Sequence, residues 1–245
     1  MKRTEKKTVL ITGISSDIGA SIATLFIDHH WNIIGHYHSN KKRIVQIERM
    51  AKKNKVKSIF IEADLASESG ISGLNHQING MKVDCLVNNA GGYGVKKNYT
   101  ELTFDDLSNT FSLNAFAPIL LTVKVFEEMK KRKYGRIINI SSIAAKYGGS
   151  KNSLHYGCSK LALEGLTKTL AREGAKHNIL VNTIRPGVID TQFHKKFSKN
   201  MDERIKLIPL GRMGLPKDVA QLVYFLGCDE NQYITNETLT VAGGE

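Results

Sequence analysis

Short runs of β-branched and aliphatic residues alternate along the chain with longer segments of helical spacing. The first helical segment places Ile18, Ile22 and Phe26 on one face. Strands that alternate with helices of this length predict βαβ units, and nearly continuous apolar strands are typical of a parallel sheet with helices on both faces. The right-handed crossover rule then favours a doubly wound α/β sheet, formed as a single domain over residues 1–245. The predicted strands are Thr8–Thr12, Asn32–Tyr37, Lys57–Ile61, Val83–Val87, Arg136–Ile140, Ile179–Ile184 and Thr238–Val241.

Three long irregular segments, at residues 91–103, 143–153 and 186–213, each follow a predicted strand. Segments that follow parallel strands emerge at the carboxyl edge of the sheet, where open α/β sheets bind their ligands. We therefore expect a ligand pocket at that edge, with a substrate lid formed by about residues 190–213.

The composition excludes several classes of protein. Hydrophobic residues make up 41% and charged residues 24% of the 245 residues, so the chain can bury a core and disorder is not expected. The scattered Cys85, Cys158 and Cys228 form neither a disulfide framework nor a zinc-ligand pattern, which favours a reducing, cytoplasmic location without a metal site. No window approaches about 18 uninterrupted apolar residues, so no membrane association is expected.

The net charge of +12 favours an anionic cofactor or an acidic protein partner. The lysines and arginines lie in short, dispersed clusters, which solvated faces also explain. The chain contains no zinc-finger spacing, no RNP-type aromatic segment and no basic region followed by heptads. Nucleic acid is therefore not an expected partner.

The first predicted strand leads into a turn of small residues, Thr12-Gly13-Ile14-Ser15-Ser16-Asp17-Ile18-Gly19, and a helix follows. Gly13 permits a tight turn, and Gly19 lets the helix approach the strand closely. Backbone N–H groups at the start of the helix can bind a pyrophosphate. The context predicts a Rossmann-type dinucleotide site, although turns of small residues also occur for packing alone.

The end of the second strand bears on the choice of nicotinamide cofactor. An acidic residue there would bind the ribose 2′-OH of NAD, but the segment His36–Arg43 contains no acid. His38, Ser39 and Asn40, with nearby Lys and Arg charge, are suited to a 2′-phosphate. We predict NADP(H) rather than NAD(H); a polar loop before a basic helix is the alternative.

Tyr156 and Lys160 are four residues apart, which places them on one face of a predicted helix. A phenol can protonate the alkoxide that forms when hydride reduces a carbonyl, and a nearby ammonium is expected to lower the phenol pKa. Ser141 and Ser142 end the preceding strand, and a serine hydroxyl can stabilise the developing charge. A surface Tyr–Lys pair without function is the alternative.

Pro118 follows Asn114 by four residues in the helical stretch Phe104–Lys131. Because proline has no N–H, the carbonyl of Asn114 is predicted to lack its helical partner. That carbonyl could hold a water leading to Lys160, as part of a proton relay. A kink that only shapes the helix explains the proline equally well.

Six segments, in this order, resemble the short-chain dehydrogenase/reductase family, and within it the 3-oxoacyl-[acyl-carrier-protein] reductases. They cover essentially the whole chain: Thr12–Gly19, Asn88–Gly91, Asn139–Ser142, Tyr156–Lys160, Arg185–Thr191 and Ile208–Gly244. Asp17 departs from the family pattern, since it stands where the family usually has its middle glycine. We expect its carboxylate to cap the helix, and to weaken pyrophosphate binding unless the side chain turns away.

The resemblance implies a catalytic set of Asn114, Ser142, Tyr156 and Lys160, with Ser141 as the fallback serine. It also implies contacts of Asp64 and Leu65 with the adenine, of residues 89–91 with the ribose and of residues 186–191 with the nicotinamide. The complete predicted cofactor set is Thr12, Gly13, Ser15, Ser16, Ile18, Gly19, His38, Ser39, Asn40, Asp64, Leu65, Asn89, Ala90, Gly91, Tyr156, Lys160, Pro186, Gly187, Ile189 and Thr191.

The function implied by the resemblance is NADPH-dependent reduction of a carbonyl, such as a 3-oxoacyl thioester on acyl carrier protein, in fatty acid or polyketide metabolism. The basic run Lys130–Lys133 fits the docking of an acidic carrier, and a solvated helix end explains it equally well. The resemblance also implies a homotetramer. The alternatives are an enzyme acting on another small alcohol, ketone or sugar, and a nucleotide-binding regulator without turnover.

Overall fold

The apolar runs form one seven-stranded sheet in the computed structural model, which describes residues 5–192 and 201–245. All strand pairings are parallel, and the order is β3-β2-β1-β4-β5-β6-β7. Each predicted strand is confirmed, with ends that shift by a residue or two, as is usual for strand boundaries. The strands are β1 Thr8–Ile11, β2 Asn32–Tyr37, β3 Ser58–Glu62, β4 Cys85–Asn88, β5 Gly135–Ile140, β6 Ile179–Pro186 and β7 Thr238–Val241.

Helices cover both faces of the sheet, which confirms the doubly wound architecture. Apolar residues of α1, α2 and α9 pack in one core, and those of α3, α5 and α7 pack in a second core on the opposite face. Strands β1, β4, β5 and β6 are almost completely buried between the two cores, which explains their largely apolar sequences, whereas the edge strands β3 and β7 are partly exposed. The helices are α1 Asp17–Asp28, α2 Lys41–Lys53, α3 Glu68–Gln77, α4 Phe104–Phe111, α5 Ala117–Arg132, α6 Ile143–Tyr147, α7 Leu154–Ala175, α8 Met201–Lys206 and α9 Pro216–Gly227.

The strand order reverses between β1 and β4, which lie side by side at the centre of the sheet. Ile11 pairs with Val87, so the turns that follow the two strands leave the sheet next to each other. A crevice at such a switch point is where doubly wound sheets bind nucleotides. The topology therefore places the small-residue turn after β1 at the expected ligand edge.

The helical stretch that contains Asn114 is interrupted at that residue. A π-helical segment, Ser112–Phe116, separates α4 from α5, and the N–H of Ala117 donates to the carbonyl of Ser112, five residues earlier. Pro118 lies in the first turn of α5, and its missing N–H is consistent with this change of hydrogen-bond register. A free carbonyl at Asn114 and the water relay remain predictions.

The combined run Phe104–Arg132 is long and apolar enough to cross a membrane by length and composition. Half of its most apolar window is buried inside the fold, as in a core helix. Of the predicted lid, residues 193–200 lie outside the described residues. Its two flanks are joined to each other, because the N–H of Asp190 donates to the carbonyl of Gly214 at 2.8 Å.

Candidate active site

The small-residue turn enters α1 through a serine cap. Ser16 has extended backbone angles, and its Oγ accepts the N–H of Gly19 at 3.0 Å. Ser16, and not Asp17, is therefore the N-cap, which corrects the expectation that Asp17 caps the helix. A Cβ atom on Gly19 would lie 2.3 Å from the carbonyl oxygen of Gly13, so the predicted close approach of helix and strand is present.

Asn89, which follows β4, connects its own turn to the turn after β1. Its Nδ2 donates to the carbonyls of Thr12 at 2.9 Å and Gly13 at 3.0 Å. In return, Thr12 Oγ1 accepts the backbone N–H groups of Asn89 and Ala90, both at 3.0 Å. The two turns thus form one hydrogen-bonded unit at the switch point, built from residues of the predicted cofactor set.

Asp17 is the first residue of α1, and its carboxylate turns towards other elements. Oδ1 lies 2.7 Å from Nη1 of Arg43 on α2, and Oδ2 accepts the backbone N–H of Gln192 at 2.7 Å. Arg43 also donates to the carbonyl of Ser15 at 3.2 Å. The positive guanidinium offsets the charge that Asp17 places near the start of α1. A cleft of about 320 Å³ lies between these groups and Pro216.

The predicted 2′-phosphate contacts, His38, Ser39 and Asn40, are exposed at the carboxyl end of β2. Asn40 adopts a left-handed conformation with φ of 63° immediately before α2. At the end of β3, the Oδ1 atom of Asp64 accepts the N–H of Ala66 at 3.0 Å, and Leu65 is buried. The fold therefore brings both segments to the same edge as the small-residue turn.

The start of α7 carries the predicted Tyr–Lys pair on its buried face. Tyr156 is 8% exposed and Lys160 is 2% exposed. Nζ of Lys160 donates to the carbonyl of Ile140 at 2.8 Å and lies 5.9 Å from the centre of the Tyr156 ring. The pair is thus a buried one, and not the surface pair that was the alternative.

The two serines that end β5 have different partners. Ser142 caps α6 by accepting the N–H of Ala144 at 3.1 Å, and its hydroxyl is hydrogen-bonded to Tyr156. Ser141 is buried and donates to Oε1 of Glu164 at 2.7 Å. This arrangement favours Ser142 over Ser141 as the serine that faces a substrate beside Tyr156.

Burial raises the pKa of Tyr156 above its ordinary value, and the hydrogen bond from Ser142 opposes that rise. Burial also lowers the pKa of Lys160 to about 8. The expected lowering of this pKa by Lys160 is not seen in the described structure, because the loss of hydration disfavours the phenolate more than the hydrogen bond from Ser142 favours it, and Tyr93 adds to the rise. A phenol that stays protonated at neutral pH can donate a proton.

Asn114 is fully buried in the π-helical segment and connects it to two other elements. Its Nδ2 donates to the carbonyl of Gly92 at 2.8 Å and to Ser159 Oγ at 3.1 Å, while its Oδ1 accepts the N–H of Gly92 at 3.0 Å. A Cβ atom on Gly91 would lie 2.7 Å from Nζ of Lys160. Glycine at 91 therefore leaves the space through which Lys160 reaches the site.

The segment after β6 packs against the end of β7. The N–H of Gly187 donates to the carbonyl of Val241 at 2.9 Å, and a Cβ atom on Gly187 would lie 2.7 Å from Ala242 Cβ. Pro186, Ile189 and Thr191 are buried along this segment. The predicted nicotinamide contacts thus follow the edge of the sheet next to the β1 and β4 turns.

Three residues near the site were not predicted from the sequence: His36, Arg43 and Tyr93. The ring of Tyr93 packs edge-on against Tyr156, with 4.5 Å between centroids, and burial raises the pKa of Tyr93. Its position directly after the small residues 90–92 is the only sequence signal that could have indicated it. His36 and Arg43 act through contacts that no local pattern encodes.

A parallel sheet with a small-residue turn at its switch point and a buried Ser–Tyr–Lys group beside it defines the class of nicotinamide-nucleotide-dependent oxidoreductases. A family model described as enoyl-(acyl carrier protein) reductase matches residues 13–245. The chain belongs to this family, within the short-chain dehydrogenases/reductases, and it is an oxidoreductase that acts on CH–OH or C=O groups. The predicted family is confirmed.

Similar proteins support the same family. A 3-oxoacyl-[acyl-carrier-protein] reductase FabG of Aquifex aeolicus is 34% identical over 241 residues, which cover 97% of this chain and 96% of that protein. Glucose 1-dehydrogenase 2 of Bacillus subtilis is 31% identical over 97% of this chain and 94% of its own length. The crystal structure of a 3-oxoacyl (acyl-carrier-protein) reductase from Agrobacterium tumefaciens C58 with NADP bound superimposes with a TM-score of 0.88 at 25% identity, covering 98% of this chain and 94% of that one.

Proposed function

We propose that the protein reduces a 3-oxoacyl thioester, carried on acyl carrier protein, to the 3-hydroxyacyl thioester with NADPH as the hydride donor. The observation that carries the proposal is the buried group of Ser142, Tyr156 and Lys160 beside the turns of the nucleotide crevice. The similar reductases of Aquifex aeolicus and Agrobacterium tumefaciens support the substrate class, and the NADP bound to the second supports the cofactor.

The residues at the crevice fit an NADP(H) molecule. The glycines at 13 and 91 keep the floor of the crevice open, because a Cβ atom at either position would lie within 3.0 Å of a neighbouring atom. Gly13, Ser15, Ser16 and the start of α1 would hold the pyrophosphate, as helix N-termini hold anions. The exposed segment 38–40 has no carboxylate to repel a 2′-phosphate.

When bound, the nicotinamide supplies the hydride that reduces the carbonyl carbon. Ser142 donates a hydrogen bond to the carbonyl oxygen and orients it, and the hydroxyl of Tyr156 protonates that oxygen as negative charge develops on it. Lys160 would hold the ribose of the bound cofactor, and its ammonium would resupply the proton that Tyr156 gives up. Asn114 keeps the loop at Gly92 and the helix α7 in place around the pair.

Other parts of the proposal rest on family resemblance. We infer that residues 1–245 form one domain, that residues 190–213 act as the substrate lid, and that the protein is a cytoplasmic homotetramer. The basic run Lys130–Lys133 supports carrier docking only in part. Lys130 and Lys131 pair with Glu127 and Glu128 on their own helix, at 2.9 and 2.6 Å, so much of their charge is balanced locally.

A second candidate function is the oxidation or reduction of a small alcohol, ketone or sugar. The similarity to glucose 1-dehydrogenase 2 of Bacillus subtilis favours it, because that relative matches nearly the whole chain at an identity close to that of the FabG relative. Both candidates use the same Ser–Tyr–Lys chemistry, so only the substrate distinguishes them.

The experiment is a panel of acetoacetyl-carrier protein and simple ketones with NADPH, and of glucose with NADP⁺, assayed by NADPH absorbance and repeated with NADH and NAD⁺. We expect the oxoacyl thioester to exceed the other substrates by about a hundredfold in kcat/KM, a difference of about 3 kcal/mol in transition-state binding. NADPH should exceed NADH by at least about tenfold. Preferential oxidation of glucose would establish the second candidate, and tight nucleotide binding without any turnover would indicate a regulator.

A further inference from the structure

A buried imidazole connects two segments of the nucleotide crevice. His36 lies on β2 and is 2% exposed. Its Nδ1 accepts the N–H of Gly13 at 3.2 Å, and its Nε2 lies 3.0 Å from the carbonyl oxygen of Ala63. Because a carbonyl oxygen can only accept, Nε2 carries the proton and Nδ1 is the free acceptor. Both contacts are satisfied only by the neutral ring in this one tautomer.

The Gly13 peptide is held from both sides by neighbouring strands. His36 binds its N–H from the β2 side, and Nδ2 of Asn89 donates to its carbonyl at 3.0 Å from the β4 side. Gly13 has φ of 64°, and a Cβ atom there would lie 2.9 Å from Ala90 Cα, so the turn is closely packed. The amide of Asn89 cannot titrate, whereas the imidazole of His36 can.

The other contact of His36 reaches the adenine side of the crevice. Ala63 immediately precedes Asp64 and Leu65, which are predicted to flank the adenine. One ring therefore fixes the distance between the pyrophosphate turn and the adenine segment. Protonation of Nδ1 would bring a second donor against the Gly13 N–H and remove the hydrogen bond at that end.

We propose that His36 is a positioning residue, whose neutral imidazole holds the Gly13 turn and residues 63–65 in the geometry that binds NADP(H), and whose protonation weakens nucleotide binding while the protein stays folded. The inference rests on the proposed cofactor. It assigns His36 no contact with the substrate or the reacting atoms.

The surroundings of the ring favour its neutral form at ordinary pH. Burial lowers the pKa of His36 below 6.5, and its bond with Ala63 opposes that shift. His38, just after β2, lowers the pKa further, whereas the Asp64 carboxylate after β3 raises it. The turn after β1 faces the ring with the uncharged Gly13 amide. The affinity for NADP(H) should therefore be constant near neutral pH and should fall only in mild acid.

The test measures the dissociation constant of NADP⁺ by calorimetry between about pH 7.5 and about pH 5.5. The 2′-phosphate itself titrates near pH 6, so the comparison is made between variants. His36→Asn keeps an acceptor at the position of Nδ1 and cannot titrate. We expect it to bind within about threefold of the wild type at the higher pH, and the wild type to lose about threefold more affinity than this variant on acidification, because a His36 pKa below 6.5 keeps the loss at pH 5.5 below about tenfold.

Two controls separate positioning from a merely structural role. His76→Asn should keep the wild-type pH dependence, because His76 is exposed on α3 and belongs neither to the turn nor to the predicted cofactor set. His36→Phe should bind more weakly at every pH, because it has no acceptor for the Gly13 N–H. Near-ultraviolet circular dichroism of each protein at the lower pH checks that it remains folded.

Parallel loss of affinity by the wild type and His36→Asn overturns the inference and leaves the cofactor proposal intact. Absence of NADP⁺ binding by the wild type at the higher pH overturns both the inference about His36 and the proposed cofactor. If His36→Asn does not fold, an NMR titration of the wild type tests the inference instead. The Gly13 amide resonance should then move with the same midpoint as the His36 ring, and an unmoved Gly13 resonance would contradict the inference.

Discussion

The nucleotide turn and the catalytic face lie next to each other at the carboxyl edge of the sheet, but they are held together in different ways. The turn is fixed by neutral hydrogen bonds to backbone groups: His36 and Ser16 accept backbone N–H groups, and Asn89 donates to a backbone carbonyl. Its one charged member, Asp17, is partly exposed and paired with Arg43. Neutral bonds of this kind fix a shape without the free-energy cost of burying charge.

The catalytic face bears most of the free-energy cost of burying charged groups. Tyr156 and Lys160 are both buried, and burial shifts the pKa of each towards its neutral form. Such shifts are typical of groups that exchange protons during a reaction. The comparison teaches that this fold keeps the preformed nucleotide turn apart from the catalytic face, where reactive buried groups lower the stability of the fold.

The largest effect that the comparison predicts comes from removing the buried phenol. Tyr156→Phe should lower kcat by about a thousandfold, because no other group in the described part of the site lies in place to protonate the substrate oxygen. The dissociation constant of NADP⁺ should change by less than about threefold, since the turn makes its own hydrogen bonds. Single-turnover kinetics and calorimetry measure the two effects separately.

Tyr93→Phe is the matched control, because it removes the hydroxyl of a half-buried tyrosine whose ring centroid lies 4.5 Å from that of Tyr156, and it keeps the ring contact. It should reduce kcat by less than about tenfold. If Tyr156→Phe retained more than about a tenth of the wild-type rate, the proposed proton donor would be wrong.

A smaller effect concerns stability. The pKa of Lys160 is about 8 in the folded protein and 10.5 ordinarily, so the buried ammonium destabilises the fold below pH 8, and this cost disappears as the pH rises to 10.5. Lys160→Met should therefore raise the free energy of unfolding at pH 7 by about 2 kcal/mol, after allowance for the lost bond to Ile140. Urea unfolding at neutral and alkaline pH measures the gain, which should vanish near pH 10.5.

Lys168→Met on the exposed side of the same helix is the control and should change stability by less than about 0.5 kcal/mol. A lower stability of Lys160→Met at neutral pH would contradict the claim that the catalytic face carries the electrostatic cost. The same variant should lose most of its activity, which links the gain in stability to the loss of function.

The smallest effect concerns the one charge in the nucleotide turn. Asp17→Asn keeps an acceptor for the Gln192 N–H and removes a negative charge from the start of α1, so NADP⁺ should bind about fivefold more tightly at low salt. The gain should shrink as the ionic strength rises. Calorimetry at two salt concentrations measures it.

Asp28→Asn, at the exposed opposite end of α1, is the control and should leave the affinity unchanged. Weaker binding by Asp17→Asn would mean that the carboxylate supports the site through Arg43 and Gln192, and the division between a neutral binding region and a charged catalytic region would then fail.

Much of the fold followed from local patterns. The strand at residues 136–140 was predicted from a run of apolar residues, and the sheet has it at Gly135–Ile140. The spacing of Pro118 from Asn114 indicated either a carbonyl without its helical partner or a kink, and a π-helical segment lies there. Such features are readable because the hydrophobic period and the missing proline N–H act within a few residues.

The errors at the site have a different origin. Asp17 was expected to cap its own helix, but its partners lie 26 and 175 residues further along the chain, at Arg43 and Gln192. The pKa of Tyr156 was expected to fall because Lys160 is one helical turn away. Burial by surrounding elements decided the opposite direction, and burial is not visible in local spacing.

The amino-acid sequence by itself determined the alternation of strands and helices, the parallel sheet and the identity of the residues that meet at its carboxyl edge. Only the tertiary structure decided which side chains hold the turn at Gly13, where the Asp17 carboxylate points, and how strongly burial disfavours charge on Tyr156 and Lys160. The reason is physical: periodicity is a property of neighbouring residues, whereas hydrogen-bond partners and dehydration depend on segments that the fold brings together from distant parts of the chain.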